Sequence, residues 1–100
     1  MSFVCGFHPD IEKDYSQAYE WYEDKLAGLG ERFIKAVRRK IEQIAEHPQA
    51  FGRRADKTYR EAQVDFFPYL IIYKVYKAQN EIFICSIHHT KKQPRRKYRK

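Results

Sequence analysis

From Ser2 to Phe7 the chain alternates, with Phe3, Cys5 and Phe7 set against Ser2, Val4 and Gly6, and this period of two predicts a short strand. His8-Pro9-Asp10 ends it. Proline suits the first turn of a helix and an acidic residue there complements the helix dipole, so a helix is expected from near Asp10. Its apolar stripe is Ile11, Tyr15, Ala18, Tyr19, Tyr22 and Leu26, at steps of three and four, with Trp21 just off it. Gly28 and Gly30 flank Leu29 and let one helix stop and another begin. The second helix is expected from near Glu31. Phe33, Ile34, Val37, Ile41, Ile44 and Ala45 form its stripe, charged residues decorate its other sides, and His47-Pro48 closes it. A connection of about three residues makes the pair an antiparallel hairpin.

Gln49 to Lys57 reads as a charged loop, after which the period changes back to alternation. Strands are expected at roughly Tyr59 to Phe66, Tyr69 to Lys77 and Glu81 to His88, with turns at Phe67-Pro68 and Gln79-Asn80. Strands joined so tightly form an antiparallel meander, and the helical hairpin is the layer available to cover one of its faces. The expected fold is therefore α+β: an N-terminal strand, a two-helix hairpin and a three-stranded meander, with the helices on one face of the sheet.

One hundred residues, 43% of them hydrophobic and 16% aromatic, make one domain with one modest core. The domain is expected to span residues 1–94, followed by a basic tail at residues 95–100. Charge adds direction. Twenty Lys and Arg against thirteen Asp and Glu give +7, a field that attracts polyanions or an acidic protein. The helical part mixes signs, whereas Lys91 to Lys100 holds seven basic residues and no acidic one. Cys5 and Cys85 each lie in an apolar run and are expected as buried thiols. So distant a pair makes no metal site. Without a stretch of about 18 apolar residues, membrane association is not expected and a cytoplasmic location is.

A sheet packed on one side leaves its other side free to bind. Arg60 opens the second strand, His88 and His89 end the last, Lys91 and Lys92 follow, and Tyr98 could fold back from the tail. These residue types serve phosphodiester chemistry: arginine grips phosphate, histidine moves protons near neutrality, and an aromatic ring stacks on an unpaired base. RNA carries its own nucleophile in the 2′-hydroxyl, so such a site needs no metal or cofactor. Arg60 best fits the phosphate, and His88 or His89 the proton. Adjacent strand residues face opposite sides, so only one of the two faces a cleft while the strand stays regular. Each residue also has a structural alternative: Arg60, followed by Glu61, as half of a cross-strand ion pair, the histidines at a sheet end, the lysines in a solvated tail.

The order of elements resembles the RelE/ParE toxin superfamily from Phe3 to about Pro94. Tyr59-Arg60-Glu61-Ala62 followed by Tyr69-Leu70-Ile71-Ile72-Tyr73-Lys74-Val75 is similar to the family's arginine strand and the aliphatic-Tyr-x-Val strand after it. Ile82 to His88 resembles the final strand with its terminal histidine, Lys91 and Pro94 a basic residue and a proline after it, and His47-Pro48 with Phe51-Gly52-Arg53 the connection after the second helix. The resemblance implies a toxin held by a cognate antitoxin, an acidic one suiting so basic a chain. RelE-like members cut mRNA in the ribosome as metal-independent endoribonucleases, and this is the activity expected here; ParE-like inhibition of DNA gyrase without nuclease chemistry is the alternative. Arg60 matches the nucleases' phosphate arginine, and His88 a histidine that members without nuclease activity also carry. His89 and Tyr98 are stand-ins for C-terminal catalytic residues, and Lys57, Lys91, Lys92 and Tyr98 are the candidate substrate contacts. The sequence departs from the nuclease pattern in having no lysine pair or glutamate at the base position, although Lys57 is nearby, and in running on past the histidine pair.

Overall fold

The computed structural model describes residues 2–91, 98 and 99. Its elements are β1 (Val4–Phe7), α1 (Ile11–Lys25), α2 (Leu29–Glu46), β2 (Arg53–Arg54), β3 (Arg60–Gln63), β4 (Tyr69–Tyr76), a 3-10 turn at Lys77–Gln79 and β5 (Glu81–His89). The expected α+β architecture is present. His8 turns the chain out of β1 by accepting the Asp10 N–H on its Nδ1 at 3.0 Å. Gly28 takes φ +90° between the helices, a left-handed backbone suited to glycine. The second helix begins at Leu29, two residues before the expected Glu31, because the Glu23 carboxylate accepts the N–H groups of Gly28 and Gly30, each at 2.9 Å. A carboxylate at that end satisfies otherwise orphaned donors and complements the dipole.

The sheet has five strands in the order β1-β5-β4-β3-β2, parallel between β1 and β5 and antiparallel elsewhere. The meander is thus extended on both sides. Two expectations are corrected here. The segment read as a loop contains β2, whose Arg53 and Arg54 lie opposite Glu61 and Arg60. The strand expected to reach Phe66 ends at Gln63, where its amide Nε2 donates to the carbonyls of Phe67 and Tyr69 and helps fold the chain into a turn.

Ile11, Ala18 and Tyr22 of α1 and Phe33, Val37, Ile41 and Ile44 of α2 pack on Ala62, Val64, Tyr69, Ile71, Tyr73, Ile82, Ile84 and Ile87. Leu26, expected in the first helix's stripe, lies past the end of α1 and is exposed. A bulge decides which residues of β5 face the core. Tyr73 is opposite Ile84 but Ile72 is opposite Ser86, leaving Cys85 as the extra residue. The shift turns Ile87 inward and sets His88 opposite Leu70 and His89 opposite the core residue Tyr69. Both cysteines are free thiols; Cys85 is fully buried and Cys5 partly so.

Candidate functional site

Arg60 shares the core-side face of the sheet with its register partner Tyr73. Its Nε donates to the Pro48 carbonyl at 3.2 Å, and its Nη2 donates to the carbonyls of Gln49 at 3.2 Å and Gly52 at 2.6 Å. Tyr73 joins them, its hydroxyl donating to the same Pro48 carbonyl and accepting from Arg60 Nε at 3.4 Å. Burial raises the Tyr73 pKa, and the Arg60 guanidinium works against that rise. A Cβ at Gly52 would stand 2.0 Å from the Tyr73 hydroxyl, so only glycine allows the loop this close. Arg60 and Tyr73 together pin the chain leaving α2 to the sheet.

Glu61 points the other way and is buried. Its ion-pair partner is Arg53, its register partner on β2, whose Nη2 donates to Oε1 at 3.1 Å. Its Oε2 accepts the hydroxyl of Tyr98 at 3.3 Å. Tyr98 does fold back: its ring lies 4.9 Å from that of Tyr59, whose hydroxyl donates to the Arg99 carbonyl at 3.1 Å. Arg99 then reaches Asp14 of α1 through two 2.8 Å hydrogen bonds and donates to the Cys85 carbonyl at 3.4 Å. The face expected to be open carries these two residues.

Asp14 also completes the sheet. Strand β1 pairs with β5 only as far as Ile84, and beyond it the Ile87 N–H donates to Asp14 Oδ2 at 2.9 Å. Here α1 and the end of β5 border a polar cleft of about 190 Å³, lined by Asp10, Lys13, Asp14 and Gln17 on one side and Ser86, His88, His89 and Arg99 on the other. Both histidines reach it, because the cleft lies along the strand's edge and not on one face. His89 packs edge-on against Tyr69 at 5.0 Å, and its Nδ1 accepts the Lys91 N–H at 3.0 Å.

Lys57 is exposed in the loop between β2 and β3, and Lys91 is exposed just past β5. Lys92 and Pro94 lie outside the described residues. The structure brings His88 and His89 together and leaves Arg60 apart. Arg60 lies opposite Tyr73 and His88 opposite Leu70, so their Cα atoms are separated by three residues along the sheet and two strands across it. At about 3.4 Å per residue and about 4.8 Å per strand, that is on the order of 14 Å. Their side chains also leave opposite faces. Among the described residues no group of three His, Cys, Asp or Glu is arranged to hold a metal ion, and no helix is long and apolar enough to cross a membrane.

The ParE toxin family of type II toxin–antitoxin systems, parDE, matches residues 6–94. This chain belongs to that family. Among solved structures, the ParE-family fold seen here is similar to a chain of the chromosomal ParDE system of P. aeruginosa, with 20% identity and a TM-score of 0.65 over 90% of this chain and 98% of that one. It is also similar to a chain of the RelBE2 toxin–antitoxin complex of Mycobacterium tuberculosis, with 14% identity and a TM-score of 0.68 over 89% and 92%. The isolated E. coli RelE toxin matches with 14% identity and a TM-score of 0.66 over 92% and 88%. No curated protein matches the sequence. At these identities the likeness is one of fold, and it spans ParE and RelE toxins alike.

Three residues of this ParE-family site escaped the sequence reading: Asp14, Tyr59 and Arg99. Asp14 sits in the first turn of α1, where an acidic residue already has a reason to be. Nothing in its local pattern announces a partner eighty-five residues away.

Proposed function

We propose that this ParE-family toxin acts in the cytoplasm by binding a protein target, DNA gyrase, with an acidic cognate antitoxin holding it in check. One observation carries the choice: the guanidinium of Arg60 is engaged by the carbonyls of Pro48, Gln49 and Gly52 on the core side of the sheet. A nuclease site needs a cation on the scissile phosphate within reach of the acid and base. Arg60 and His88 leave opposite faces. His89, opposite Tyr69, lies four residues along and two strands across from Arg60, on the order of 17 Å between Cα atoms. Both placements disfavour one phosphodiester meeting Arg60 and either histidine. The family match also favours the gyrase reading, and the net charge of +7 favours an acidic antitoxin.

The alternative, a ribosome-dependent mRNA endoribonuclease, keeps one supporting observation. His88 and His89 border a polar cleft together with Lys13 and Arg99, which gives proton carriers and cations without Arg60.

Induced expression in a bacterial host, read for both nucleic acids, separates the two. Intact mRNA with accumulating gyrase–DNA breaks is the expected result, together with loss of supercoiling activity when the purified protein is added to gyrase. Messages cut within codons while DNA stays whole would overturn it. A short acidic reading frame adjoining this one would supply the antitoxin.

A further inference from the structure

The turn between β3 and β4, Asp65 to Pro68, carries two adjacent phenylalanines with opposite fates. Phe67 is half-buried and packs against the core, its ring 5.0 Å from Tyr22 and 5.2 Å from Phe33. Phe66 is 100% exposed and holds φ +69°. Each property is unfavourable. A whole phenyl ring stays in water, and the left-handed backbone is one that glycine or asparagine adopts far more readily than an aromatic residue. Glycine would make this turn without either cost. Strain of this kind persists where the side chain's position is used.

We infer that Phe66 is the apolar anchor with which this toxin grips its protein target. The inference deepens the reading of a toxin that binds a protein, and rests on it. The anchor is continuous with the candidate site: the Thr90 N–H donates to the Pro68 carbonyl at 2.9 Å and Tyr69 packs on His89, so the turn and the end of β5 form one rim. A rigid aromatic at the tip of a turn held from both sides is the kind of residue that fills a pocket on a partner. The adjacent charge selects the partner's class. The turn Asp65-Phe66-Phe67-Pro68 supplies no cation of its own, and its one carboxylate is ion-paired with Lys40 at 3.4 Å, whereas stacking on bases goes with a basic groove for their phosphates. A neutral turn with an aromatic tip suits an apolar pocket on a protein.

The test compares the full-length wild type with Phe66→Gly and Phe66→Asn. Both variants relieve the backbone, so the melting midpoint rises by a few degrees. Growth arrest and inhibition of gyrase supercoiling weaken by about 30-fold, the loss of a central anchor. Antitoxin affinity stays within about threefold. Undiminished arrest by both variants overturns the inference, and so does an equal loss of antitoxin binding. If the wild type leaves gyrase untouched, the gyrase reading falls by itself; growth arrest then decides, and equal arrest by wild type and variants overturns the anchor.

Discussion

The guanidinium of Arg99 and the carboxylate of Asp14 meet through two 2.8 Å hydrogen bonds, joining the C-terminal end of the chain to the first helix. Because Asp14 also accepts the Ile87 N–H, the same carboxylate anchors the tail and seals the edge of β5. Arg99→Ala should cost about 1–2 kcal/mol of stability and Asp14→Ala about 2–3 kcal/mol, since the second also orphans a backbone donor. A double-mutant cycle by urea denaturation should return about 1 kcal/mol of coupling. Strict additivity would show that the contact contributes nothing.

Arg60 is expected to behave as a structural residue. Its removal leaves the carbonyls of Pro48, Gln49 and Gly52 without their shared cation, so Arg60→Ala should lower stability by about 2–3 kcal/mol. Lysine cannot reproduce the planar fork, and Arg60→Lys should recover less than half of the loss. Urea midpoints of both variants beside that of the wild type measure this.

Gly52 should tolerate nothing larger. Alanine there meets the Tyr73 hydroxyl at 2.0 Å, and Gly52→Ala should destabilise by about 2 kcal/mol or more through displacement of the loop. Tyr73→Phe in the same chain removes the nearest atom and should return part of that loss, while the ring carbon at 2.8 Å remains. A double variant no more stable than Gly52→Ala would place the clash elsewhere.

Cys85 sets an alkaline limit. Burial pushes its thiol from 9.0 up to about 11, with Lys74 and Arg99 pulling the other way. A pKa raised by folding leaves stability whole below the unfolded value of 9.0 and removes it as the pH climbs towards about 11. The slope is at most about 1.4 kcal/mol per pH unit for one proton. Tyr22, Tyr69 and Tyr73, all raised from 10.0 by burial, add to the loss at higher pH. Cys85→Ala should flatten the first part of the decline in denaturation midpoints between pH 8 and pH 11, roughly the range set by these groups. In the native wild type, thiol reagents at neutral pH should reach the partly exposed Cys5 and spare Cys85.

Local periodicity carried most of the architecture into view. The stripes of α1 and α2 each record a single buried face, which repeats at a fixed step along the sequence. Strands β4 and β5 are apolar enough to read as strands although both their faces are buried at residues 71–73 and 84–88. What stayed hidden depends on pairing at a distance. The two arginines of β2 have no pattern of their own; they are a strand only because Arg60 and Glu61 lie opposite them. The bulge at Cys85 breaks the alternation by one residue, which is why the orientation of His88 and His89 could not be read in advance. Arg60 was expected to hold a phosphate, whereas its guanidinium is engaged by three carbonyls that no motif encodes. Tyr98 was expected to fold back and does, while its neighbour Arg99 went unnoticed among seven basic residues.

The parallel pairing of β1 with β5 has a consequence for the life of the chain in the cell. Val4 finds its partner in Glu81, so the opening strand waits through the synthesis of every other element before it can dock. Until β5 is made, the far edge of the sheet that β1 covers cannot form, so the two ends of the fold are completed in one step.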